Sequence, residues 1–304
     1  MSTDSARDPR DAERLSTLLR QVHRLELVAR HNAHALRTGE WTTAVRGRGM
    51  VFHETRKYVQ GEPARRIDWN ITARLGEPHV RVHLEERQRN VLLALDVSPS
   101  MHDGFQRRTK LEYAVELAAT LAVSAIDAGD RLGVVLFADR VLDERRALGG
   151  RAQLFRVLRT LIEHTAPWQR AVAESDPRAA IHAIERQGGR SVVFLISDFV
   201  DHDVPTDIDY LRPRHDVSLL HIVDPVEYDA ASPIVIGARS PEGDAPRTPI
   251  RFGAVDSLDA LRADLRDRCG ALGMAFESFP TDGSVRSALG HFFHQKRGLR
   301  ARAG

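Results

Sequence analysis

The sequence predicts an α/β protein with a doubly wound, mostly parallel sheet. Its composition is that of an ordinary globular chain, with 42% hydrophobic and 28% charged residues among 304. From residue 91 onward, short unbroken apolar runs alternate with longer segments whose apolar residues recur at helical spacing. Strands that alternate with helices form βαβ units, which place helices on both faces of a parallel sheet. Two of the apolar runs also end in aspartate, at Asp96 and Asp198.

The chain falls into four segments by composition and pattern. They are an N-terminal helical segment at 1–40, a β-rich arm or subdomain at 41–90, the α/β domain at 91–295 and a tail at 296–304. A loose apolar stripe over residues 11–37 predicts the helix of the first segment. The arm is predicted from its Gly and Arg content and from β-type runs at 50–52 and 79–84.

Within the α/β domain, unbroken apolar runs predict the strands and a 3.6-residue apolar period predicts the helices. The first half is predicted as strand 91–95, helix 110–128, strand 132–137, a polar edge strand within 140–148, helices 153–162 and 178–187, and strand 191–196. Gly188 and Gly189 end the last of these helices. The second half is predicted as strand 217–223, a hairpin over 233–253, helix 258–272, strand 275–279 and a closing helix at 285–293.

The most informative motif follows the first strand of the α/β domain. Asp96, Ser98 and Ser100 form an Asp-x-Ser-x-Ser set, and Asp198 follows a second buried strand. Strand ends at the switch point of a doubly wound sheet lie side by side, so these four side chains are expected to meet. Carboxylate and hydroxyl oxygens are hard ligands of the kind that Mg²⁺ prefers. The motif therefore predicts a site for Mg²⁺ or another divalent cation.

Helix capping is the alternative interpretation of each residue taken singly. An aspartate after a strand is often a helix N-cap, and Ser98 and Ser100 can cap the turn that follows. The joint pattern favours metal binding, because two carboxylates held close together need a counter-charge and a divalent cation supplies one.

The same residues resemble the metal-ion-dependent adhesion site of von Willebrand factor A domains. That pattern is Asp-x-Ser-x-Ser, then a loop Thr, then a strand-end Asp, and it maps onto Asp96, Ser98, Ser100 and Asp198. At the position of the loop Thr, the resemblance implies Ser175 as the nearest hydroxyl, with Thr165 as a second candidate. It also implies that segment 91–295 is a von Willebrand factor A-like domain.

A second resemblance comes from the arm. The run Tyr58-Val59-Gln60-Gly61-Glu62-Pro63-Ala64-Arg65-Arg66-Ile67-Asp68-Trp69 is similar to the arm motif of a bacterial domain-of-unknown-function family. Members of that family carry a von Willebrand A-like domain behind the arm and are commonly encoded beside MoxR-type AAA+ ATPases. The resemblance implies a protein–protein interaction module that captures an acidic residue of a partner. The implied partner is a MoxR-type AAA+ ATPase, served by an adaptor in chaperone-like maturation of a protein complex.

A phosphatase of the strand-end aspartate type is the alternative function. Asp96 would be its nucleophile and Asp198 its metal ligand. Such enzymes place a second Asp two residues after the nucleophile as general acid, and here that position is Ser98, a poor acid at neutral pH. We therefore expect a binding protein without catalytic residues and not an enzyme.

Other classes of function receive little support. The single cysteine, Cys269, rules out an internal disulfide and a cysteine-based zinc site. Basic residues of the arm alternate with acidic ones, so no nucleic-acid partner is expected. No apolar run approaches 18 residues and residues 1–20 are polar, so we expect no membrane span and a cytoplasmic location.

Overall fold

The computed structural model describes residues 9–36, 54–59, 67, 69–82, 88–104, 108–164, 175–199, 208–228, 235–238, 248–251 and 255–302. The chain divides into two units, Val45–Gln88 and the remainder, Met1–Ala44 with Arg89–Gly304. The arm predicted at 41–90 overlaps this smaller unit. The β-type run predicted at 50–52 and the candidate Thr165 lie outside the described residues.

A six-stranded sheet is the centre of the larger unit, as the apolar runs predict. Its strands are β3 (Asn90–Asp96), β4 (Arg131–Phe137), β5 (Val141–Leu148), β6 (Ser191–Ser197), β7 (Asp216–Val223) and β10 (Ala275–Pro280). The order across the sheet is β10-β7-β6-β3-β4-β5. Every neighbouring pair is parallel except β4 and β5, where the charged strand β5 forms an antiparallel edge. The doubly wound α/β fold is confirmed.

The strand order places a switch point between β3 and β6. The chain moves from β3 to β4 and β5 on one side, then returns through β6 to build β7 and β10 on the other. Leu95 of β3 is paired with Ile196 of β6, so the two strands end side by side at their carboxyl ends. This edge is where open α/β sheets form a crevice for ligands.

Helices cover both faces of the sheet. On one face lie four helices, of which the first contacts the other three: α1 (Pro9–Leu36), α3 (Lys110–Asp127), α4 (Arg151–Glu163) and α8 (Val285–Arg302). On the other face α5 (Pro177–Gln187), α6 (Ile208–Leu211) and α7 (Val255–Ala271) contribute to one apolar cluster with β3, β4, β6 and β7. Alternate residues of β3 serve the two faces, since side chains of a strand alternate.

The N-terminal helix is part of the larger unit and not a separate segment. Val22, Ala29 and Ala33 on α1 are buried. The Asn32 side chain donates a 3.0 Å hydrogen bond to Glu116 of α3. The face of α1 that carries Val22, Ala29 and Ala33 is therefore covered by α3, α4 and α8, whereas Leu19, in the predicted stripe, is 44% exposed.

The closing helix corrects the predicted tail. Helix α8 continues to Arg302, well past the predicted end at 293. Lys296, assigned to the tail, is only 2% exposed, and its ammonium donates to Ser218 Oγ at 2.7 Å and pairs with Asp216 at 3.2 Å. The helix thus still contacts the sheet at Lys296, where the apolar period in the sequence fades.

Two smaller sheets complete the described structure. In the smaller unit β1 (Glu54–Lys57) pairs antiparallel with β2 (His79–Val82), and α2 (Trp69–Leu75) lies between them in sequence. The predicted hairpin is present as β8 (Val235–Ala238) paired antiparallel with β9 (Thr248–Arg251). Within the described ranges, no helix combines the length and apolar character needed to cross a membrane.

Candidate metal centre

The switch point brings the predicted strand-end residues together. Asp96 is the last residue of β3, and Asp198 directly follows β6. Both are buried, with 0% and 2% of their surface exposed. A 3₁₀ turn at Pro99–His102 carries Ser100 back over the strand ends. The predicted set is therefore one cluster in space.

Asp96 is the hydrogen-bonding centre of this cluster. Its Oδ1 accepts the backbone N–H of Ser98 at 2.8 Å. Its Oδ2 accepts the hydroxyls of Ser175 and Ser197, each at 2.6 Å. Both oxygens of a fully buried carboxylate thus have partners, as burial of a charged group requires.

The two serines of the motif bridge the two aspartates. Ser98 Oγ and Ser100 Oγ are 3.2 Å apart, and Ser100 Oγ donates to Asp198 Oδ1 at 3.3 Å. Ser98 occupies the N-cap position of the turn, but its side chain makes no capping hydrogen bond. Its hydroxyl is directed into the cluster, so capping does not account for Ser98.

Ser175 supplies the loop hydroxyl. It lies immediately before α5, where Asp176 caps the helix by accepting the Arg178 N–H at 3.0 Å. The Asp176 N–H donates to Ala138 O at 2.7 Å, which fixes this loop against the end of β4. Ser175 is 5% exposed and reaches Asp96 directly.

Lys110 and Glu227 join the cluster without having been predicted. The Lys110 ammonium lies 2.7 Å from Asp198 Oδ2 and 2.6 Å from Glu227 Oε1. Lys110 is the first residue of α3, and Glu227 lies on the 3₁₀ turn Pro225–Tyr228 after β7. The sequence held one signal for the lysine: it continues the stripe of Ala114 and Leu117, so α3 buries it.

Phe199 fixes the backbone after Asp198. Among the described residues other than glycine, it alone has a positive φ, of 51°. Its N–H donates to Ser197 Oγ at 3.0 Å, and its ring is 3% exposed in the apolar cluster of the second face. The left-handed conformation is unfavourable for a bulky residue and persists because packing and the hydrogen bond hold it there.

Comparison with known proteins identifies the family. The family described as "Protein of unknown function DUF58" matches residues 54–234, more than half of the chain. The chain belongs to the DUF58 family.

Relatives and similar structures extend this comparison. Uncharacterized proteins of Mycobacterium bovis and Mycobacterium tuberculosis are each 30% identical over 225 residues, covering 72% of this chain and 67% of the relative. BatB of Bacteroides thetaiotaomicron, a conserved hypothetical protein, shares 17% identity with a TM-score of 0.48, over 69% of this chain and 99% of BatB. An aerotolerance-related membrane protein from Bacteroides fragilis gives 17% identity and a TM-score of 0.46, over 68% and 99% of the two chains.

The DUF58 match spans the cluster from β3 to the turn after β7. It includes the Asp-x-Ser-x-Ser motif, Lys110, Ser175, Asp198 and Glu227. It also includes the described part of the arm.

Burial dominates the electrostatics of the cluster. Burial, helped by the negative charge of Asp198, raises the pKa of Asp96 to about 6, although three donated hydrogen bonds oppose the shift. Burial alone would lower the pKa of Lys110, but the charges of Asp198 and Glu227 outweigh it and raise that pKa. Burial also raises the pKa of Glu227, against the opposing charge of Lys110.

The donor set fits a hard divalent cation. Asp96, Asp198 and Glu227 are three buried carboxylates, and the Lys110 ammonium contacts two of them, Asp198 and Glu227. When ionised, these four groups carry a net charge of −2. Among the described residues no three His, Cys, Asp or Glu side chains are grouped to hold a metal ion, so hydroxyls would have to complete the ligand set. Ser98, Ser100 and Ser175 supply such hydroxyls beside the two aspartates.

Proposed function

We propose that this DUF58 protein is a metal-dependent protein–protein interaction module. Asp96, Ser98, Ser100, Ser175 and Asp198 would hold Mg²⁺ or another divalent cation at the switch point of a von Willebrand factor A-like domain. The observation that carries the proposal is the buried cluster of hydroxyls and carboxylates, whose net charge is −2 when its three carboxylates and Lys110 are ionised. A divalent cation would neutralise this charge with the oxygen ligands that it prefers.

Different residues of the chain hold different parts of this site in place. Asp96 orients the Ser98 backbone and the Ser175 hydroxyl through its two oxygens. Ser100 links the motif to Asp198 across the gap between β3 and β6. When bound, a divalent cation supplies a positive charge that can accept a carboxylate from a partner. These contacts preorganise the oxygens on rigid strand ends, which lowers the cost of ordering them on binding.

The partner that we propose is a MoxR-type AAA+ ATPase, with this chain as adaptor in chaperone-like maturation of a larger protein complex. The support is the resemblance of the arm and of the Asp-x-Ser-x-Ser motif, together with membership of the DUF58 family over residues 54–234. A Glu or Asp side chain of the partner would be the group captured at the cation.

Binding is a better account of Asp96 than nucleophilic catalysis. Both carboxylate oxygens accept hydrogen bonds and the residue is 0% exposed. A general acid would be needed near residue 98, where Ser98 is a poor one at neutral pH. We therefore propose that the site binds and does not catalyse.

A pull-down with the MoxR-type ATPase as prey tests this function. The full chain should capture the ATPase in Mg²⁺ and lose it in EDTA, while Asp96→Ala should fail to capture it in either buffer. Asp139→Ala is the matched control, because Asp139 is an exposed aspartate paired with its neighbour Arg140 outside the cluster. Capture by Asp96→Ala equal to that of the parent chain would overturn the proposal.

Ser175 offers a finer test of the same site. Ser175→Ala removes the 2.6 Å hydrogen bond to Asp96, whereas Ser175→Thr keeps a hydroxyl at that position. We expect Ser175→Ala to weaken Mn²⁺ binding about tenfold or more, as for other residues that orient metal ligands. Ser175→Thr should stay within about threefold of the parent chain. Calorimetric titration with Mn²⁺ measures both, and equal affinities for the two variants would contradict the role of the hydroxyl.

A further inference from the structure

Lys110 places a positive charge inside the cluster, and that charge opposes cation binding. It is 2% exposed and lies against two carboxylates, Asp198 at 2.7 Å and Glu227 at 2.6 Å. We infer that Lys110 determines the charge specificity of the site, setting its net charge at −2 so that it accepts divalent and rejects trivalent cations. This inference rests on the proposed function and adds a selectivity that the metal ligands alone do not provide.

The structure holds Lys110 in place from three directions. Its backbone N–H donates to Asp103 O at 3.0 Å, in the segment that follows the Asp-x-Ser-x-Ser motif. The preceding residue, Thr109, forms a reciprocal capping box with Glu112 and fixes the start of α3. The ammonium is fixed by its two carboxylates, and moving it away would leave both buried without a partner, which is strongly unfavourable.

The position of the ammonium also divides the two oxygens of Asp198. Lys110 takes Oδ2, while Oδ1 accepts the hydroxyl of Ser100. One oxygen is thus committed to the lysine and the other belongs to the hydroxyl bridge between the aspartates. Lys110 therefore offsets part of the negative charge while Asp198 Oδ1 remains bonded to Ser100.

The charge of the bound ion then decides whether it is accepted. A divalent cation brings the four ionised groups to neutrality, whereas a trivalent cation leaves an uncompensated positive charge in a buried site. Unbalanced charge is costly where water is excluded. Without Lys110 the cluster would carry −3, and a trivalent cation would match it.

Ca²⁺ and Tb³⁺ test this inference because they are similar in size and differ in charge. Calorimetric titration of the full chain with each ion gives the ratio of the two affinities. We expect Lys110→Met to shift that ratio toward Tb³⁺ by at least about tenfold. The double variant Lys110→Met/Glu227→Gln restores the charge of −2, so its ratio should return to within about threefold of the parent chain. Lys110→Arg, which keeps the charge, should also leave the ratio within that range.

These variants distinguish the effect of charge from the effect of packing. They also distinguish a failure of this inference from a failure of the proposed function. Loss of the lysine by itself could disturb folding, but only charge explains rescue by a second substitution that removes a carboxylate. If Lys110→Met does not fold by circular dichroism, Glu227→Gln alone is decisive, since a net charge of −1 should shift the ratio toward Ca²⁺ by about tenfold. An unchanged ratio in Lys110→Met or, in that case, Glu227→Gln overturns the role of Lys110. Absence of cation binding to the parent chain, or equal binding by Asp96→Ala, overturns the proposed function instead.

Discussion

At the scale of single residues, Asp96 shows how a strand-end carboxylate is kept in a dry site. Three hydrogen bonds favour its ionised form, while burial and Asp198 favour the protonated form and prevail, raising its pKa to about 6. A carboxyl whose pKa is higher in the folded than in the unfolded protein lowers the free energy of unfolding when the pH is above its pKa in the folded protein. That cost disappears as the pH falls from about 6 toward the unfolded value of 3.8.

The first prediction follows from that sign. In a buffer that contains a metal chelator, the free energy of unfolding of the parent chain should rise relative to that of Asp96→Asn as the pH falls. Between about pH 7.5 and pH 5 the relative gain should be about 1–2 kcal/mol, because the buried carboxylate takes up its proton in this window. Urea unfolding at each pH measures the difference.

A control for this experiment is Asp139→Asn, whose carboxylate is exposed and lies outside the cluster. The difference in free energy of unfolding between this variant and the parent chain should stay nearly constant over the same pH range. A constant difference for Asp96→Asn as well would show that the protonation of Asp96 does not change with folding.

Residues close in sequence were the easier part of the site to predict. Asp96, Ser98 and Ser100 lie within five positions, and Asp198 follows a second apolar run, so pattern alone placed them together. Ser175 was predicted as a loop hydroxyl, and the structure brings it to Asp96. Ser197, although adjacent to Asp198, was missed because only pairing of β6 with β3 directs its hydroxyl toward Asp96.

At the scale of elements, β4 shows a constraint that its apolar run conceals. Gly133 lies in the middle of this strand, where a β-carbon would come within 2.7 Å of a Leu92 methyl and 2.8 Å of the Arg145 carbonyl oxygen. The pairing of β4 with β5 shifts register between Leu132 and Val134, at this same glycine. The close approach of two strands therefore requires glycine, although glycine usually weakens a strand.

The second prediction concerns this glycine. Gly133→Ala should lower the free energy of unfolding by about 1–3 kcal/mol, since the new methyl group meets backbone that cannot move cheaply. Gly149→Ala is the matched control, because nothing lies within 4 Å of a β-carbon there. It should change stability by no more than about 0.5 kcal/mol. Equal effects in urea unfolding would mean that β5 adjusts to the added methyl group.

Short elements were harder to predict than long ones. The strands of the central sheet and the helices α3, α4 and α5 differ from the predicted ranges by a residue or two at each end. The 3₁₀ turns and the four-residue helix α6 were not predicted, since so short a segment shows no period. Glu227 lies on one of these turns, which is why sequence patterns gave no sign of its role.

At the scale of the whole molecule, the N-terminal helix is the feature whose place the sequence did not reveal. Its stripe predicted a helix, but not which surface would cover it. In the structure α1 packs against α3, α4 and α8 and so adds a layer to one face of the larger unit. The buried face of α1 includes two small residues, Ala29 and Ala33.

The third prediction tests whether α1 is an integral part of this unit. Ala29 is 0% exposed, so Ala29→Glu should bury an unpaired charge and lower the free energy of unfolding by about 3 kcal/mol or more. Leu27→Glu, two residues away at a position 56% exposed, should have a much smaller effect. Thermal and urea unfolding of the full chain measure the stability of the two variants. Similar stabilities would show that α1 does not contribute to the core.

The sequence by itself determined the fold class, the main strands and helices, and the residues of the Asp-x-Ser-x-Ser motif with Asp198. These features are encoded locally, in apolar periodicity and in the short range of chain that follows a strand. The tertiary structure decided that α1 and the end of α8 belong to the larger unit, and that Lys110 and Glu227 share the buried cluster. Lys110 and Glu227 are 117 positions apart and meet only because helix α3 begins, and β7 passes into its turn, at the same edge of the sheet. Contacts of that kind depend on strand order, which no local pattern in the sequence records.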